Sequence, residues 1–427
     1  MSDSPAAKLA ALLGESAVRP LADWEGSGRL ARLGLGGDLP VALPTDRNQL
    51  AEVMKLAARD RLRVLPVGRA SRADWGGLPT GIDCAVSTAR LDRLVEHAAG
   101  DLTVTAEAGM GFADLQRTLA GARQFLTLDP AYPEASTLGG ILATADTGAL
   151  RHRYGGVRDL VLGITFVRAD GEIARAGGRV VKNVAGYDLM KLLTGAHGTL
   201  GIAVEITFRL QPLPETGGTV LIAGEAEPIA DLVRALNASA LTPERCDLFS
   251  ATAARALGFD GPLLFAVRFA GIAASVAEQS ALLVKDAPPG TTRRLAEDEE
   301  AAFWEHARLL FWQGDPGVAV VGKWGVLPTA AVAALVEAER LGAMGRIHAG
   351  GGVGVVRWQS PDPQTIGQLR TFCREHSGTL SVLEAPRTCK QQIDVWGAVG
   401  ALALMGRIKN QFDPQGVLSP GRFVAGL

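Results

Sequence analysis

The chain has 427 residues, 47% of them hydrophobic, and 43 Lys and Arg against 45 Asp and Glu give a formal net charge of −2. That length exceeds what one core ordinarily fills and implies two or more domains, while the balanced charge offers no electrostatic footing for nucleic acid or an anionic membrane. No apolar run reaches the roughly 20 residues that a membrane-spanning helix needs, and the opening, with Asp3 and Lys8 among alanines, lacks the basic-then-apolar order of a secretory signal, so a cytoplasmic protein is expected.

Residues 1–30 read as an alanine-rich helix followed by a loop. From Val41 the pattern becomes regular. Pro44 and Thr45 offer an N-cap, and Leu50, Val53, Met54 and Ala57 fall on one face of a helix. Residues 63–67 form a strand that runs directly into Gly68. Further strands are expected at 84–87 and 102–106, then a helix at 112–119 with Leu115 and Leu119 one turn apart. Residues 160–168 turn at Ala169-Asp170-Gly171 into 172–175 as a hairpin. A strand at 202–210 is closed by Pro212 and Pro214, and a domain boundary is expected near 215.

Beyond that boundary strands and helices alternate: 219–222, 228–236, 263–269 and 274–283, then 318–321, 329–341, 346–348, 353–358, 363–376 and 379–383. Two rounds of roughly β-α-β-β-α-β suggest a duplicated split-βαβ, ferredoxin-like sheet with helices on one face. A last helix at 391–409 leads into a loop-rich tail. Trp304, Trp312 and Trp324 are read as core packing rather than as an interface. The cysteines Cys84, Cys246, Cys373 and Cys389 contain no C-x-x-C pair, so no zinc or iron–sulfur ligand set is expected here, and a cluster would have to sit on another chain.

Chemistry concentrates in glycine-punctuated loops of the first half. They are Pro66-Val67-Gly68-Arg69-Ala70-Ser71; Leu128-Asp129-Pro130 with Ser136-Thr137-Leu138-Gly139-Gly140, Thr144, Gly148 and Arg153-Tyr154-Gly155; and Lys182-Asn183 with Gly186-Tyr187-Asp188-Leu189, followed by Gly198-Thr199-Leu200-Gly201-Ile202. Glycine permits close backbone approach, and successive N–H groups in such turns make concave sites for anions. Three separated loops point to an elongated, phosphate-containing ligand, a dinucleotide. A Rossmann reading of Gly109-Met110-Gly111 fails because Asp114 stands where a small residue is needed, and no P-loop motif occurs.

In order, these loops resemble the flavoprotein family typified by vanillyl-alcohol oxidase and p-cresol methylhydroxylase, over residues 35–212. The resemblance implies FAD, with Gly68, Arg69, Ala70 and Ser71 around the pyrophosphate. Pro130, Ser136, Thr137, Gly139, Gly140, Thr144, Gly148, Tyr154 and Gly155 would lie along the ribityl chain and flavin, and Lys182, Gly201 and Ile202 would make further contacts. Members with covalent flavin often carry a histidine in the first loop; Arg69-Ala70 stands there instead, so FAD is expected to be noncovalent. His197, where relatives commonly show glutamate, is read as a solvated histidine. The implied fold is α+β: a two-subdomain p-cresol methylhydroxylase-type FAD-binding domain (35–213) after an N-terminal helix and loop (1–34). A ferredoxin-like antiparallel cap domain (214–386) and a C-terminal segment returning to the FAD domain (387–427) complete it.

Residues 408–422, I-K-N-Q-F-D-P-Q-G-V-L-S-P-G-R, are similar to the end of 2-hydroxy acid dehydrogenases of this family. Those relatives carry H-A-G-D-G-N-x-H and a later E-H-G. Here His348-Ala349-Gly350-Gly351-Gly352-Val353-Gly354-Val355 keeps the first histidine but has Gly351 and Val355 at the acid and second histidine, and Glu384 is followed by Ala385. Removing a hydroxyl proton needs a base of suitable pKa, which valine and alanine cannot supply. His348 and Glu384 remain the weak catalytic candidates, with His348 read first as a satisfied structural histidine. Intact FAD loops beside eroded acid–base positions resemble the FAD-binding E subunits of bacterial glycolate oxidases. That likeness implies a catalytic flavoprotein paralogue and an iron–sulfur subunit as partners, with any association with the inner face of the membrane made through them. Two alternatives stay open: an autonomous oxidoreductase of a hydroxy acid or alcohol, with Arg69, Tyr187, His348, Glu384 and Arg387 as substrate contacts, and a structural subunit with a vestigial flavin fold.

Overall fold

The computed structural model describes residues 4–178, 187–288, 292–314 and 317–427. The chain forms two compact units: Met1–Thr147, Gly156–Pro212 and Ala398–Leu427 in the first, Gly148–Gly155 and Leu213–Gly397 in the second.

In the first unit, helix α1 (Arg47–Asp60) is capped by Asp46, whose carboxylate accepts from the N–H groups of Asn48 at 2.8 Å and Gln49 at 2.9 Å. The cap lies one residue past Thr45 because the Asp46 carboxylate satisfies two orphan donors at once. Leu50, Val53, Met54 and Ala57 are buried as the spacing predicts. Strands β1 (Val64–Val67) and β2 (Cys84–Ser87) pair in parallel, and the short strands Pro40–Ala42 and Val18–Pro20 extend this sheet beyond β2.

The segment after the N-terminal helix Pro5–Leu13 is therefore not a loop. It contributes Val18–Pro20 and the helix Ser27–Arg32, with Leu21, Trp24, Leu30 and Leu33 packed in a small core with Val41, Leu65 and Ala85 of the sheet. Irregular apolar spacing among Gly and Pro hides this from periodicity.

A second sheet in the same unit comprises β3 (Leu94–Ala98), β4 (Thr103–Glu107), β5 (Val161–Val167), β6 (Ile173–Gly177) and β7 (Ile202–Arg209). It is antiparallel throughout, in the order β3-β4-β7-β5-β6. Helices α2 (Phe112–Ala120) and α3 (Leu138–Thr144) bury Leu115, Leu119, Ile141 and Leu142 in its core. Strand β7 serves two cores: Ile202 and Val204 pack with α1, whereas Ile206 and Phe208 pack with α2. The expected β5–β6 hairpin is present, and Gly171 in its turn has φ +83°. A Cβ there would lie 2.4 Å from Lys55 Cγ, so only glycine fits.

The second unit holds an eight-stranded antiparallel sheet. Its elements are β8 (Thr216–Gly224), α4 (Ala226–Ala238), β9 (Arg245–Ser250), α5 (Ala251–Ala256), β10 (Leu263–Gly271), α6 (Ala273–Asp286), β11 (Thr292–Arg294) and α7 (Glu297–Leu309). They continue with β12 (Ala319–Gly325), α8 (Ala331–Arg340), β13 (Ala343–His348), β14 (Val353–Gln359), α9 (Pro363–Glu375) and β15 (Thr379–Glu384). The spatial order β11-β8-β10-β9-β13-β14-β12-β15 is two ferredoxin-like 4-1-3-2 halves joined through the second strand of each. The duplicated split-βαβ reading thus stands in the strand pairing itself.

Two details differ from the sequence reading. Strands β9 and β11 lie where no strand was expected, because β9 carries Arg245 and Asp247 within an apolar run and β11 is Thr-Arg-Arg. Helices also cover both faces. Helices α4, α6, α8 and α9 pack on one face, while Phe303, Trp304 and Ala307 of α7 and Ala253 and Ala254 of α5 pack against Phe249, Leu264 and Val321 on the other.

Trp304 and Trp324 are buried, their indole N–H groups donating to Thr219 Oγ1 and the Arg346 carbonyl. The expected helix at 391–409 is shorter, Leu402–Phe412, and belongs to the first unit. Among the described residues no helix is long and apolar enough to cross a membrane.

Candidate cofactor-binding site

The end of β1 delivers the chain into Gly68-Arg69-Ala70-Ser71, and this loop forms one wall of an open cleft. Thr137, Gly139, Gly140 and Thr144 on α3 form a second wall, and Gly201 and Ile202 at the start of β7 form a third. Three loops separated by some 130 residues of sequence therefore converge on one space, as the motif reading requires. A Cβ on Gly68 would lie 2.2 Å from Thr137 Oγ1, and one on Gly201 would lie 2.8 Å from Phe166 Cδ2. Gly68 lets the first two walls close on each other, and Gly201 lets the start of β7 pack against β5.

The backbone N–H groups of Arg69, Ala70 and Ser71 make no hydrogen bond to other described residues, and Ala70 is held at φ +56°. Free N–H groups around a left-handed residue form a nest for an anion. That arrangement fits a dinucleotide pyrophosphate.

Beneath the cleft lies a buried ionic lock. The Arg72 guanidinium is 2.6 Å from Asp146 Oδ2 and donates to Ser136 Oγ at 2.7 Å and to Ser71 Oγ at 3.2 Å. Asp146 also accepts from the Ala131 N–H at 2.9 Å. Arg72 thus ties the first glycine loop to the second, and Ser136, fully buried, orients this lock rather than lining the cleft. Ser87 Oγ donates to the Gly68 carbonyl at 2.9 Å, fixing the mouth of the loop to β2.

His197 lines the cleft as well, at φ +52°, with its ring 6.0 Å from that of Phe423. It is half-buried, which corrects its reading as a solvated side chain. Arg422, from the far end of the chain, lines the cleft too. Pro130, Ser136, Gly148, Tyr154 and Gly155 are not among the cleft's lining residues, and Gly148, Tyr154 and Gly155 cluster with the second unit, where Tyr154 Oη donates to Glu244 Oε1 at 2.9 Å. Lys182 lies outside the described residues. Arg72, Asp146 and Arg422 were missed, because an arginine in a loop gives no spacing signal of what it will touch.

In the second unit, His348 at the end of β13 pairs across the sheet with Asp247 of β9, Nδ1 to Oδ1 at 2.5 Å, with both side chains buried. Burial pushes the Asp247 carboxyl up, but His348, Arg346 and Arg245 together outweigh it and hold the group below its ordinary value. His152 lies against Gly350, where a Cβ would come 2.4 Å from its Cε1, and burial holds its imidazole below the usual histidine value.

Glu384 is buried at the end of β15, opposite Val321. It stands three strands from β13 and is level with Met344 rather than His348, which is roughly 14 Å across and 13 Å along the sheet at standard spacings. The two weak catalytic candidates therefore do not form one site. Tyr187 and Arg387 are exposed. Among the described residues no three His, Cys, Asp or Glu side chains group in a way that could hold a metal ion.

Comparison with known proteins places residues 39–177 in a family described as an FAD binding domain. Glycolate oxidase subunit GlcD of Bacillus subtilis is 31% identical over 200 residues, covering 46% of this chain and 43% of that protein. Glycolate oxidase subunit GlcE of Escherichia coli is 36% identical over 166 residues, 39% of this chain and 47% of that protein. The matched stretch thus spans less than half the length of either subunit.

The mitochondrial D-lactate dehydrogenase [cytochrome] of Arabidopsis thaliana is 27% identical over 419 residues, 90% of this chain and 73% of that protein. The solved structure of p-cresol methylhydroxylase with substrate bound superposes with a TM-score of 0.75 over 97% of this chain and 95% of that one, at 15% identity, a likeness of fold. The match of residues 39–177 to an FAD binding domain supports FAD as the cofactor of this chain.

Proposed function

We propose that this chain is the FAD-binding subunit of a multi-subunit 2-hydroxy acid oxidoreductase of the glycolate oxidase kind, holding noncovalent FAD in the cleft of its first unit. The observation that carries this reading is a contrast between the two units. Gly68, Arg69, Ala70, Ser71, Thr137, Gly139, Gly140, Thr144, Gly201 and Ile202 line one cleft, whereas in the second unit His348 is committed to Asp247 and stands apart from Glu384.

When bound, FAD supplies a two-electron acceptor. This chain's own residues would hold it: the N–H groups of Arg69, Ala70 and Ser71 would receive the pyrophosphate, Arg72 with Asp146 keeps two of the three walls together, and Leu142, Ile164 and Leu193 would give the flavin an apolar lining. Gly351, Val355 and Ala385 supply no proton acceptor for a hydroxyl group. That step then falls to a paralogous flavoprotein subunit, with an iron–sulfur subunit carrying electrons onward. The names of GlcD and GlcE as glycolate oxidase subunits support a multi-subunit enzyme.

A second reading, an autonomous hydroxy-acid dehydrogenase, is favoured by the Asp247–His348 pair, since a carboxylate that fixes one imidazole nitrogen leaves the other to act as a base. The likeness to D-lactate dehydrogenase over 90% of the chain supports it as well. Anaerobic mixing of the flavin-loaded chain with glycolate or D-lactate and an artificial electron acceptor separates the two. Absence of turnover by the chain alone, restored by the partner subunits, supports the subunit reading; sustained turnover by the chain alone supports the second.

A further inference from the structure

The last thirty residues return to the first unit and are stitched into its cofactor loops. Val64 N–H donates to the Val417 carbonyl at 2.7 Å and Ser419 N–H to the Val64 carbonyl at 2.9 Å, so the tail runs beside β1 just before the Gly68 loop. Lys409, buried on the helix Leu402–Phe412, spends its ammonium on three acceptors: the Thr199 carbonyl at 2.9 Å, Asp413 Oδ2 at 2.7 Å and the Leu418 carbonyl at 2.9 Å. Asp413 in turn accepts from the N–H groups of Val417 and Leu418. One ammonium thereby fixes the tail to the loop that begins β7.

Arg422 is the other anchor. It is 4% exposed, and its guanidinium donates to the carbonyls of Gly77 at 2.6 Å, Ala73 at 2.6 Å and Trp75. Gly77 N–H returns a bond to the Arg422 carbonyl at 2.9 Å, and Thr80 N–H one to the Pro420 carbonyl at 2.9 Å. The three clamped carbonyls belong to the segment that leaves the Gly68–Arg72 loop, whose own turns close through Ala73 N–H to the Ala70 carbonyl and Trp75 N–H to the Arg72 carbonyl. A planar fork of five donors suits several fixed carbonyls, where a lysine ammonium would act as a point charge. Arg422 also lines the cleft.

We infer that Arg422 is a positioning residue for FAD: by clamping the carbonyls of Ala73, Trp75 and Gly77 it sets the shape of the Gly68–Ser71 nest, so the cofactor site is completed by the C-terminal tail and not by the FAD-binding domain alone. Residues 39–177 contain the loops, with Arg72 and Ser87 as internal ties, but not Arg422, which clamps the segment leaving the first loop.

The test uses the full-length chain stripped of flavin, with FAD affinity followed by quenching of flavin fluorescence and apoprotein stability followed separately by thermal unfolding. Arg422→Ala leaves three carbonyls without this donor, that of Trp75 buried and those of Ala73 and Gly77 partly so, and is expected to weaken FAD binding about 10- to 100-fold. Arg422→Lys, which keeps the charge but not the fork, is expected to fall between it and wild type, and methylguanidinium in solution is expected to restore FAD affinity to the alanine variant. Should Arg422→Ala fail to fold, the lysine variant carries the test by itself. Wild-type FAD affinity in whichever variant folds, with only the melting temperature lowered, would overturn the inference and leave Arg422 as a structural anchor.

Discussion

The Arg72–Asp146 pair offers the sharpest test of how the cofactor cleft is held. Both side chains are nearly inaccessible, 2% and 6% exposed, and 2.6 Å apart. Replacing Arg72 with methionine keeps most of the volume but leaves Asp146 as a buried carboxylate with only the Ala131 N–H as partner. Breaking a buried pair from one side costs about 3–5 kcal/mol. For a unit of about 150–250 residues each kcal/mol moves the melting temperature by about 2–4 °C, so the midpoint should drop by the order of 10 °C.

The double variant Arg72→Met with Asp146→Leu removes the stranded charge. It should recover half or more of the loss, since an apolar replacement of both partners is often neutral, while Ala131 N–H and Ser136 still lose a partner. Thermal and urea unfolding of the three proteins, read by far-ultraviolet circular dichroism, checks this. A single variant that costs less than about 1 kcal/mol, the range of a surface pair, or a double variant no more stable than the single, would refute the desolvated lock.

Other outcomes follow from the same geometry. Gly68→Val places branched atoms where a Cβ alone already meets Thr137 Oγ1 at 2.2 Å; the purified variant should carry little flavin, checked by its visible absorbance, while overpacking costs about 1–3 kcal/mol of stability. His152 has its imidazole held below the ordinary value by burial. Its contribution to stability is therefore present above about pH 6.5 and is lost as pH falls through the lower folded value; urea midpoints between pH 5 and 8 should slope downward toward acid, and His152→Gln should flatten that slope. Asp247→Asn removes a carboxyl whose folded value is depressed by His348 and the neighbouring arginines against the pull of burial. The wild type should lose the pair's stabilisation as pH falls below about 3.9, and the variant should be less stable at neutral pH by about 1–3 kcal/mol, with a weaker acid dependence.

Much of this architecture was legible in the sequence because the signals were local. The face formed by Leu50, Val53, Met54 and Ala57, the β5–β6 hairpin around Gly171, and the two rounds of β-α-β-β-α-β all depend on periodicity and turn chemistry, and all are present. The convergence of Gly68, Thr137, Gly139, Gly140, Gly201 and Ile202 was legible only through the order of the motifs, since no spacing rule brings residue 68 to residue 201.

What stayed hidden depends on long-range pairing. Strand β9 breaks its apolar run with Asp247 because His348 waits on the neighbouring strand, and nothing local announces that partner. Helices α5 and α7 cover the second sheet face, although α7 begins with four acidic residues. Arg72 and Arg422 act on carbonyls and carboxylates far along the chain, and Glu384 is separated from His348 by strand order, not by sequence distance. The helix expected at 391–409 failed at Gly397 and Gly400, where the chain passes from one unit to the other.

The most direct measurement is the visible flavin spectrum of the purified full-length chain, taken before and after anaerobic addition of glycolate, alone and then with the proposed paralogous flavoprotein and iron–sulfur subunits. The expected result is a flavin spectrum that persists when glycolate is added to the chain alone, bleaches once the partner subunits are present, and passes to the supernatant on denaturation as free FAD. A chain that stays colourless after incubation with FAD, or one whose flavin bleaches fully with glycolate in the absence of any partner, would contradict it.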